Sequence, residues 1–553
     1  MTLTPALRDA TFRWIADDID PDARMELQRV LASAMAGDDT AAADLADRMS
    51  GPLVFGTAGL RGPVRAGRNG MNRAVVIRTT AAVTQWLRFH GQAGGIVVVG
   101  RDARHGSADF HRDTAEVFAA AGFDTRVFPE PVPTPVLAFA ARELGAVAAV
   151  QITASHNPAA DNGYKLYDDG ARQIVPPADR EIEAAIAAIG SSLSVPRSPA
   201  HTAVDSGLLD AYLDRVATLP RGTARDLRIA LTPLHGVGGA AAVEALRRAG
   251  FTDVRVVRSQ AAPDPDFPTV AFPNPEEPGA ANELLDLASQ SGADLAVALD
   301  PDADRCAIGV PGRDGSGWRM LRGDETGPLL GAHILSTMAE EQRPNALLAS
   351  TIVSASLLGA IARGAGARYA ETPTGFKWLS RAGDGLVYAY EEALGHCVDP
   401  DMVRDKDGIS AAVLAADLAA TAKSVGRTLP DLLADLYVAH GVHLTEQVAV
   451  RFTETAGIGA VLARLRAQPP TELAGVTVVA EELLPQVNGL RLAGEGLRVV
   501  VRPSGTEPKL KTYLQIIEPV ASAAELRSAR GRAEAKLAEL RAAVTEIIDR
   551  LRH

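Results

Sequence analysis

The sequence predicts three similar mixed α/β domains followed by a C-terminal α+β domain, all around one central cleft. Three observations carry this expectation. A strand–helix–strand pattern closed by a later apolar strand recurs three times along the chain. Each copy's last strand is followed by a cluster of polar residues, where open α/β sheets place their ligands. Beyond about Val438 the pattern changes and the repeat stops. At 553 residues the chain is also too long for a single hydrophobic core.

Taken in order, a helical preface runs to about Met49 and leads into Phe55-Gly56-Thr57-Ala58-Gly59-Leu60-Arg61-Gly62. Three glycines around Arg61 permit close backbone approach to a ligand, with the guanidinium in reach of an anion. The first copy has a strand at Ile96–Val99, a polar turn, a helix from Phe110 to Ala121, and strands at Thr125–Phe128 and Ala146–Ile152. The second has Leu227–Leu231, a helix ending at Arg248, Val254–Val257 and Leu295–Leu299. The third has Ala346–Ser350, a helix ending near Gly364, Arg368–Ala370 and Leu386–Tyr390. Gly323-Asp324-Glu325 reads as a junction and helix start. In the last part, Leu497–Val501 and Leu510–Gln515 read as paired strands. A final amphipathic helix carries Leu526, Ala533, Leu537, Leu540, Val544, Ile547 and Leu551, and is expected to pack on its own sheet. The expected domains are 1–205, 206–322, 323–437 and 438–553.

Apolar residues make up 47% and charged residues 22%, as in ordinary globular enzymes. A net charge of −12 argues against broad nucleic-acid or anionic-membrane binding. Any phosphate must therefore be gripped by local basic residues. Met1 to Asp22 lacks an apolar h-region, no apolar run approaches the roughly 20 residues that cross a bilayer, and two cysteines are too few for a disulfide framework. A cytoplasmic protein, monomeric or homodimeric, is expected.

The first polar cluster is Thr153-Ala154-Ser155-His156-Asn157-Pro158. A serine hydroxyl is a poor nucleophile unless a base, a metal or a charged cradle activates it, and His156 stands next to it. The second is Asp300-Pro301-Asp302-Ala303-Asp304-Arg305. On an extended segment its three carboxylates point the same way and repel one another unless a cation intervenes. All-oxygen ligation selects a hard ion and suits Mg²⁺ shared with a phosphate oxygen. An EF-hand fails, since its glycine and glutamate positions hold Arg305 and Pro311. Arg305 is expected to pair with a carboxylate or with the phosphate.

His235-Gly236-Val237-Gly238-Gly239 resembles a dinucleotide fingerprint, but no acidic residue follows at the required distance, which argues against NAD. In the third copy, Thr374, Gly375 and Lys377 precede a helix and could cradle a phosphate or polarise a sugar oxygen. Glu391 and Glu392 offer acceptors for sugar hydroxyls, and His396 a proton shuttle. Asp405-Lys406-Asp407-Gly408 reads as a helix cap and little more. In the last part, Arg502, Ser504, Gly505, Thr506 and Lys509 form a phosphate clamp within Arg502-Pro503-Ser504-Gly505-Thr506-Glu507-Pro508-Lys509.

From Phe55 to Gln515, with TASHNP, DPDADR, EEALGH and RPSGTEPK in that order, the chain resembles the α-D-phosphohexomutases, the phosphoglucomutases and phosphomannomutases. The resemblance implies four domains around one cleft, a phosphoserine at Ser155, and Mg²⁺ held by Asp300, Asp302 and Asp304 together with that phosphate. It implies that Glu391 reads sugar hydroxyls and that Arg502, Ser504, Gly505 and Thr506 bind the phosphate that does not react. Lys165, in Asn162-Gly163-Tyr164-Lys165, matches a lysine with an acid/base role, and His396 is a further candidate for it. One departure is Ala393, two places after Glu391, where many members have serine. The EEALG form is similar to the branch of phosphoglucomutase-2-type and phosphopentomutase-like enzymes. The implied activity interconverts hexose 1- and 6-phosphates, glucose first, with mannose or pentose as alternatives and glucose 1,6-bisphosphate as activator and intermediate. A metal-assisted phosphatase and a non-catalytic sugar-phosphate sensor are the rival classes.

Overall fold

A computed structural model describes residues 3–312, 317–452, 455–485, 487–504 and 509–552. They form two compact units. One comprises Met1–Pro220, Leu227–Gly309 and Cys397–Ala416, the other Arg221–Asp226, Val310–His396 and Asp417–His553.

In the first unit three helices, Pro5–Asp17, Pro21–Met35 and Asp39–Arg48, form the preface. Each begins at a side-chain cap, Thr4, Asp20 and Asp38, and two carry proline in the first turn. Their shared core includes Leu27, Leu31 and Leu45. The first α/β sheet has the strand order Leu60–Pro63, Asp161–Tyr167, Ala148–Ile152, Ile96–Arg101, Asp124–Val127, Thr202–Ala203. Ile96–Arg101 lies parallel to both Asp124–Val127 and Ala148–Ile152. The second copy repeats this, with Arg228–Thr232 parallel to and between Asp253–Val256 and Leu295–Leu299. All five residues of Ala148–Ile152 and of Leu295–Leu299 are buried, which explains their unbroken apolar sequence.

In the second unit Leu347–Thr351 likewise lies parallel between Arg368–Thr372 and Leu386–Glu391. The three copies thus share one strand order. Each also gains a neighbour beyond its last strand, Asp161–Tyr167, Cys306–Pro311 and Gly395–Cys397, the first two antiparallel to it. These first two returns make their sheets mixed and bring the residues after each polar cluster back beside it.

The last sheet is built differently. Val442–Arg451, Lys509–Glu518, Leu497–Pro503, Leu490–Gly494, Val476–Glu482 and Glu472–Leu473 pair antiparallel in that order. The helix Leu526–Arg552 packs on Val442–Arg451 and Lys509–Glu518 as expected, burying Ala533, Leu537, Leu540 and Val544. Its next buried residue is Ile548 rather than Ile547, because a step of four from Val544 keeps to the stripe of a 3.6-residue helix. Among the described residues no single helix is long and apolar enough to cross a membrane.

Gly323 opens the helix Gly323–Ser336 as expected, and a Cβ there would collide with the carbonyl of Glu392. One residue later, Asp324 accepts from the Ala355 amide (2.7 Å) and the Tyr390 hydroxyl (3.1 Å) at Oδ1, and from Thr445 (2.7 Å) at Oδ2. Burial pushes its carboxyl up to about 6, against the opposing effect of the Ala355 bond. A folded-state value above the unfolded one means that the native protein binds the extra proton. The associated stability is full below about pH 4 and lost as pH rises through about 6. Asp324→Asn mimics the protonated form, so its denaturation midpoint should lose the part of this decline due to Asp324, on the order of 2 kcal/mol between these pH values. Urea melts of both proteins across that range check it.

Candidate active site

The strand Ala148–Ile152 ends at Thr153, whose Oγ1 accepts the amide of Ser155 (2.9 Å). Ser155 has φ 55°, the left-handed region that a non-glycine residue enters only when its surroundings hold it there. In this pose its Oγ donates to Asp300 Oδ2 at 2.7 Å and lies 3.2 Å from His156 Nδ1. Burial, then the neighbouring Arg305 and Arg61, hold His156 well below the ordinary histidine range, so the ring is neutral.

The three aspartates follow the buried strand Leu295–Leu299, but not on an extended segment as the sequence suggested. The chain turns: the Ala303 amide donates to the Asp300 carbonyl (2.9 Å) and Ala303 has φ 57°. The carboxylates converge through this turn rather than through strand alternation, and one oxygen from each lies within 4.8 Å of the others. His235-Gly236-Val237-Gly238 supports the turn from behind. The Val237 amide donates to the Pro301 carbonyl (2.8 Å), and Cβ atoms at Gly236 and Gly238 would collide with Pro301 and Ala303. The glycines that resemble a dinucleotide fingerprint therefore admit the aspartate loop. Gly59 behaves likewise: at φ 85°, a Cβ would strike the Tyr164 carbonyl and Lys165 Cα, so its close approach is to the lysine strand and not to a ligand.

That strand, Asp161–Tyr167, points the fully buried Lys165 at the aspartates. Its Nζ donates to Asp302 Oδ2 (2.6 Å) and Asp304 Oδ2 (2.5 Å). Asp302 Oδ2 also accepts from Thr134 Oγ1 (2.5 Å), and Asp304 Oδ2 lies 3.2 Å from Lys406 Nζ. Burial would lower Lys165, but Asp302 and Asp304 outweigh it and hold the ammonium charged. Asp300 is pushed well above the carboxylate range by burial and by Asp302 and Asp304. Burial and Asp304 push Asp302 the same way, and Lys165 with Thr134 bring it below the usual value. Burial also pushes Asp304 up, and Lys165, Lys406 and Arg305 hold it far below.

With the Oδ2 atoms so engaged, Asp302 Oδ1 and Asp304 Oδ1 are buried and accept no hydrogen bond among the described residues. Two orphaned carboxylate oxygens beside a third carboxylate are the donor set of a hard cation, whose charge would also relieve the repulsion at Asp300. The residues fit a metal ion. Arg305 donates its amide to Asp300 Oδ1 (3.0 Å), and its Nε lies 4.0 Å from both Asp300 and Asp304. Arg61, in the strand Leu60–Pro63, reaches Asn157 Oδ1 at 3.3 Å.

The remaining predicted residues lie in the second unit. Thr374 and Gly375 precede a helix of one turn, Phe376–Leu379, which carries Lys377 and is too short for a strong dipole. Glu391 ends the strand Leu386–Glu391. Glu392 Oε2 accepts from Thr351 (3.0 Å) and Ser354 (2.9 Å). His396 is fully buried, with Nδ1 3.0 Å from the Tyr388 hydroxyl and its ring stacked with Tyr388 and Tyr390. Arg502 bonds the Pro503 carbonyl and the Tyr513 hydroxyl, both at 3.1 Å, over the Tyr513 ring. The Ser504 amide closes on the Lys509 carbonyl (2.8 Å). Gly505 and Thr506 lie outside the described residues.

Three residues that touch this site were not singled out from sequence. Thr134 heads the helix Thr134–Glu143 and donates its amide to the Asp302 carbonyl (2.9 Å). Lys406 belongs to a segment read only as a cap. Asp407 does cap the following helix through the Ile409 and Ser410 amides, but Lys406 faces Asp304. Arg104, in what read as a polar turn, grips the Ser155 loop. A lysine between two aspartates, and charged residues just after a buried strand, were the available signals.

A buried serine bonded to one of three clustered aspartates that could hold a cation, set in repeated α/β sheets, fits a phosphoryl-transfer enzyme. The three alpha/beta/alpha domain models of phosphoglucomutase/phosphomannomutase match residues 52–192, 210–313 and 322–440, and the C-terminal domain model matches 448–530. The chain belongs to this family, and its activity is that of an isomerase that moves a phosphoryl group within a sugar phosphate. It is 39% identical to the probable phosphomannomutase of Haemophilus influenzae, over 80% of this chain and 93% of that one. It is 31% identical to the probable phosphoribomutase of Schizosaccharomyces pombe, over 93% and 94%. Paramecium pp63/parafusin, a phosphoglucomutase, shares its fold with a TM-score of 0.69 at 19% identity, over 90% and 94%.

Proposed function

We propose that the chain interconverts hexose 1-phosphate and hexose 6-phosphate, with glucose as the preferred sugar, through phospho-Ser155 and a 1,6-bisphosphate. The observation that carries this reading is the Ser155 Oγ bond to Asp300 (2.7 Å), beside two aspartates that each keep one buried oxygen unused. In the forward step the free sugar hydroxyl forms a bond to phosphorus as the bond to Ser155 Oγ breaks. The hydroxyl's proton passes in the same step to the departing Ser155 Oγ, which is then the donor to Asp300 seen here, and Lys165 and His396 are the candidate residues that relay it. The bisphosphate turns around and returns its other phosphoryl group to Ser155. Mg²⁺, held by Asp300, Asp302 and Asp304, supplies charge neutralisation for this transfer. Arg61 and Arg305 face the moving phosphoryl group, and His156 stays a neutral hydrogen-bond partner of Ser155. Thr374, Gly375, Lys377, Glu391 and Glu392 serve the sugar. Arg502, Ser504, Gly505, Thr506 and Lys509 hold the phosphate at rest, with glucose 1,6-bisphosphate as activator. The domain boundaries 1–205, 206–322, 323–437 and 438–553 go with this reading, since each sheet draws its strands from one range.

A pentose or mannose substrate is the second reading, favoured by the two relatives named above and by Ala393. A panel of 1-phosphosugars with the matching bisphosphate decides. Glucose 1-phosphate should give the highest kcat/KM. Faster turnover of ribose or mannose 1-phosphate reassigns the sugar, and inorganic phosphate as main product replaces the mutase with a phosphatase.

Arg502→Ala tests the resting-phosphate role. Loss of a charged, forked donor should cost about 2–3 kcal/mol of binding, roughly a 30- to 150-fold rise in KM, and let labelled bisphosphate escape before the second transfer. Unchanged KM and products would remove the clamp from the proposal.

A further inference from the structure

We infer that Arg104 is the positioning residue that aims Ser155, by gathering the carbonyls of its loop onto one guanidinium. This rests on the reading of Ser155 as the phosphoryl carrier. Arg104 follows the strand Ile96–Arg101, which lies beside the serine's own strand. Its Nη2 donates to the carbonyls of Ser155 and Asn157, both at 2.6 Å, and its Nη1 to those of Pro158 (2.7 Å) and Asp161 (3.1 Å). The remaining Nε faces Asp102 Oδ2 at 3.4 Å. The side chain is 1% exposed and the guanidinium lies 4.9 Å from the centre of the Phe267 ring.

These contacts use both Nη groups of the fork. A guanidinium has five N–H bonds in one plane; four go to carbonyls, three in the loop and one at Asp161 where the next strand begins, and Nε lies 3.4 Å from Asp102 Oδ2. The loop is neither helix nor strand, so its inward carbonyls need such a partner, and an unsatisfied buried carbonyl is costly. Ser155 is thereby pinned on both sides. Thr153 Oγ1 fixes its amide and Arg104 fixes its carbonyl, which together hold the left-handed φ of 55°. With both peptide planes set, Oγ is directed at Asp300. Both Nη groups of Arg104 are taken by carbonyls and its Nε faces Asp102, so it acts through the loop.

Shape, not charge, is therefore its contribution, and Arg104→Lys separates the two. An ammonium keeps the charge but cannot reach four carbonyls in a plane. Misplacing a reacting atom by about 1 Å costs on the order of 100-fold, so kcat should fall about 10- to 100-fold. KM for the sugar phosphate and Mg²⁺ affinity by calorimetry should stay within about twofold, because the binding groups are untouched. The rate at which Ser155 gains phosphate, followed by intact mass, should fall with kcat. Wild-type kcat in Arg104→Lys overturns the inference, as does a change confined to KM. Should this variant not fold, Asp102→Asn keeps an oxygen for the Arg104 amide and Ser107 but removes the charge that faces Nε, and kcat should drop about three- to tenfold; no drop overturns the inference equally. Wild-type protein whose Ser155 phosphate never exchanges with substrate would sink the carrier reading itself, a result distinct from either.

Discussion

Ser155→Ala lowers mutase turnover by at least about 10⁴-fold, because the covalent route loses the hydroxyl that carries the phosphoryl group. The variant should still fold. The lost hydroxyl leaves Asp300 Oδ2 without its serine donor, while the Arg305 amide still serves Oδ1 and the loop keeps its Arg104 bonds. Steady-state assays with 1,6-bisphosphate, alongside a thermal melt, check both halves. Turnover near the wild-type rate would place the phosphoryl group elsewhere.

Asp302→Asn should weaken Mg²⁺ by about 100-fold and lower kcat by roughly 10²- to 10³-fold. The Oδ2 position of Asp302 accepts from Lys165 and Thr134, so an asparagine must put its carbonyl oxygen there. Its amide nitrogen then takes the Oδ1 position, which in the native protein is a buried oxygen with no hydrogen bond. An NH₂ group cannot ligate a cation, so one ligand is lost and a donor is aimed at the metal. Calorimetric Mg²⁺ titration reads the affinity independently of activity. Full activity in the presence of chelator would remove the metal from these residues.

Much of this arrangement was legible because the polar clusters directly follow apolar strands. Ala148–Ile152 and Leu295–Leu299 are buried on both faces, so their unbroken apolar runs located the strand ends, and with them Ser155 and Asp300. The shared strand order of the three copies followed from the repeat itself. What the sequence hid was set by partners far along the chain. Thr134 and Asp302 are 168 positions apart, and Lys165 and Asp304 139. Only the folded sheets make such pairs neighbours, and no local pattern marks them. Turn geometry was hidden for another reason: the positive φ of Ala303 falls on a residue that does not favour that region, so the alternating aspartates pointed to extended chain. The glycines at 59, 236 and 238 signalled close approach correctly but not what approaches, which is the protein's own backbone or an alanine side chain.

The most direct test of the central claim is single-turnover transfer from protein isolated with labelled phosphate on Ser155. Mixed with excess unlabelled glucose 1-phosphate and Mg²⁺, it should pass its label to the sugar at a rate no slower than kcat, giving labelled 1,6-bisphosphate or 6-phosphate, while Ser155 is rephosphorylated from substrate. Label that stays on the protein through many turnovers, or that leaves only as inorganic phosphate, would contradict the account.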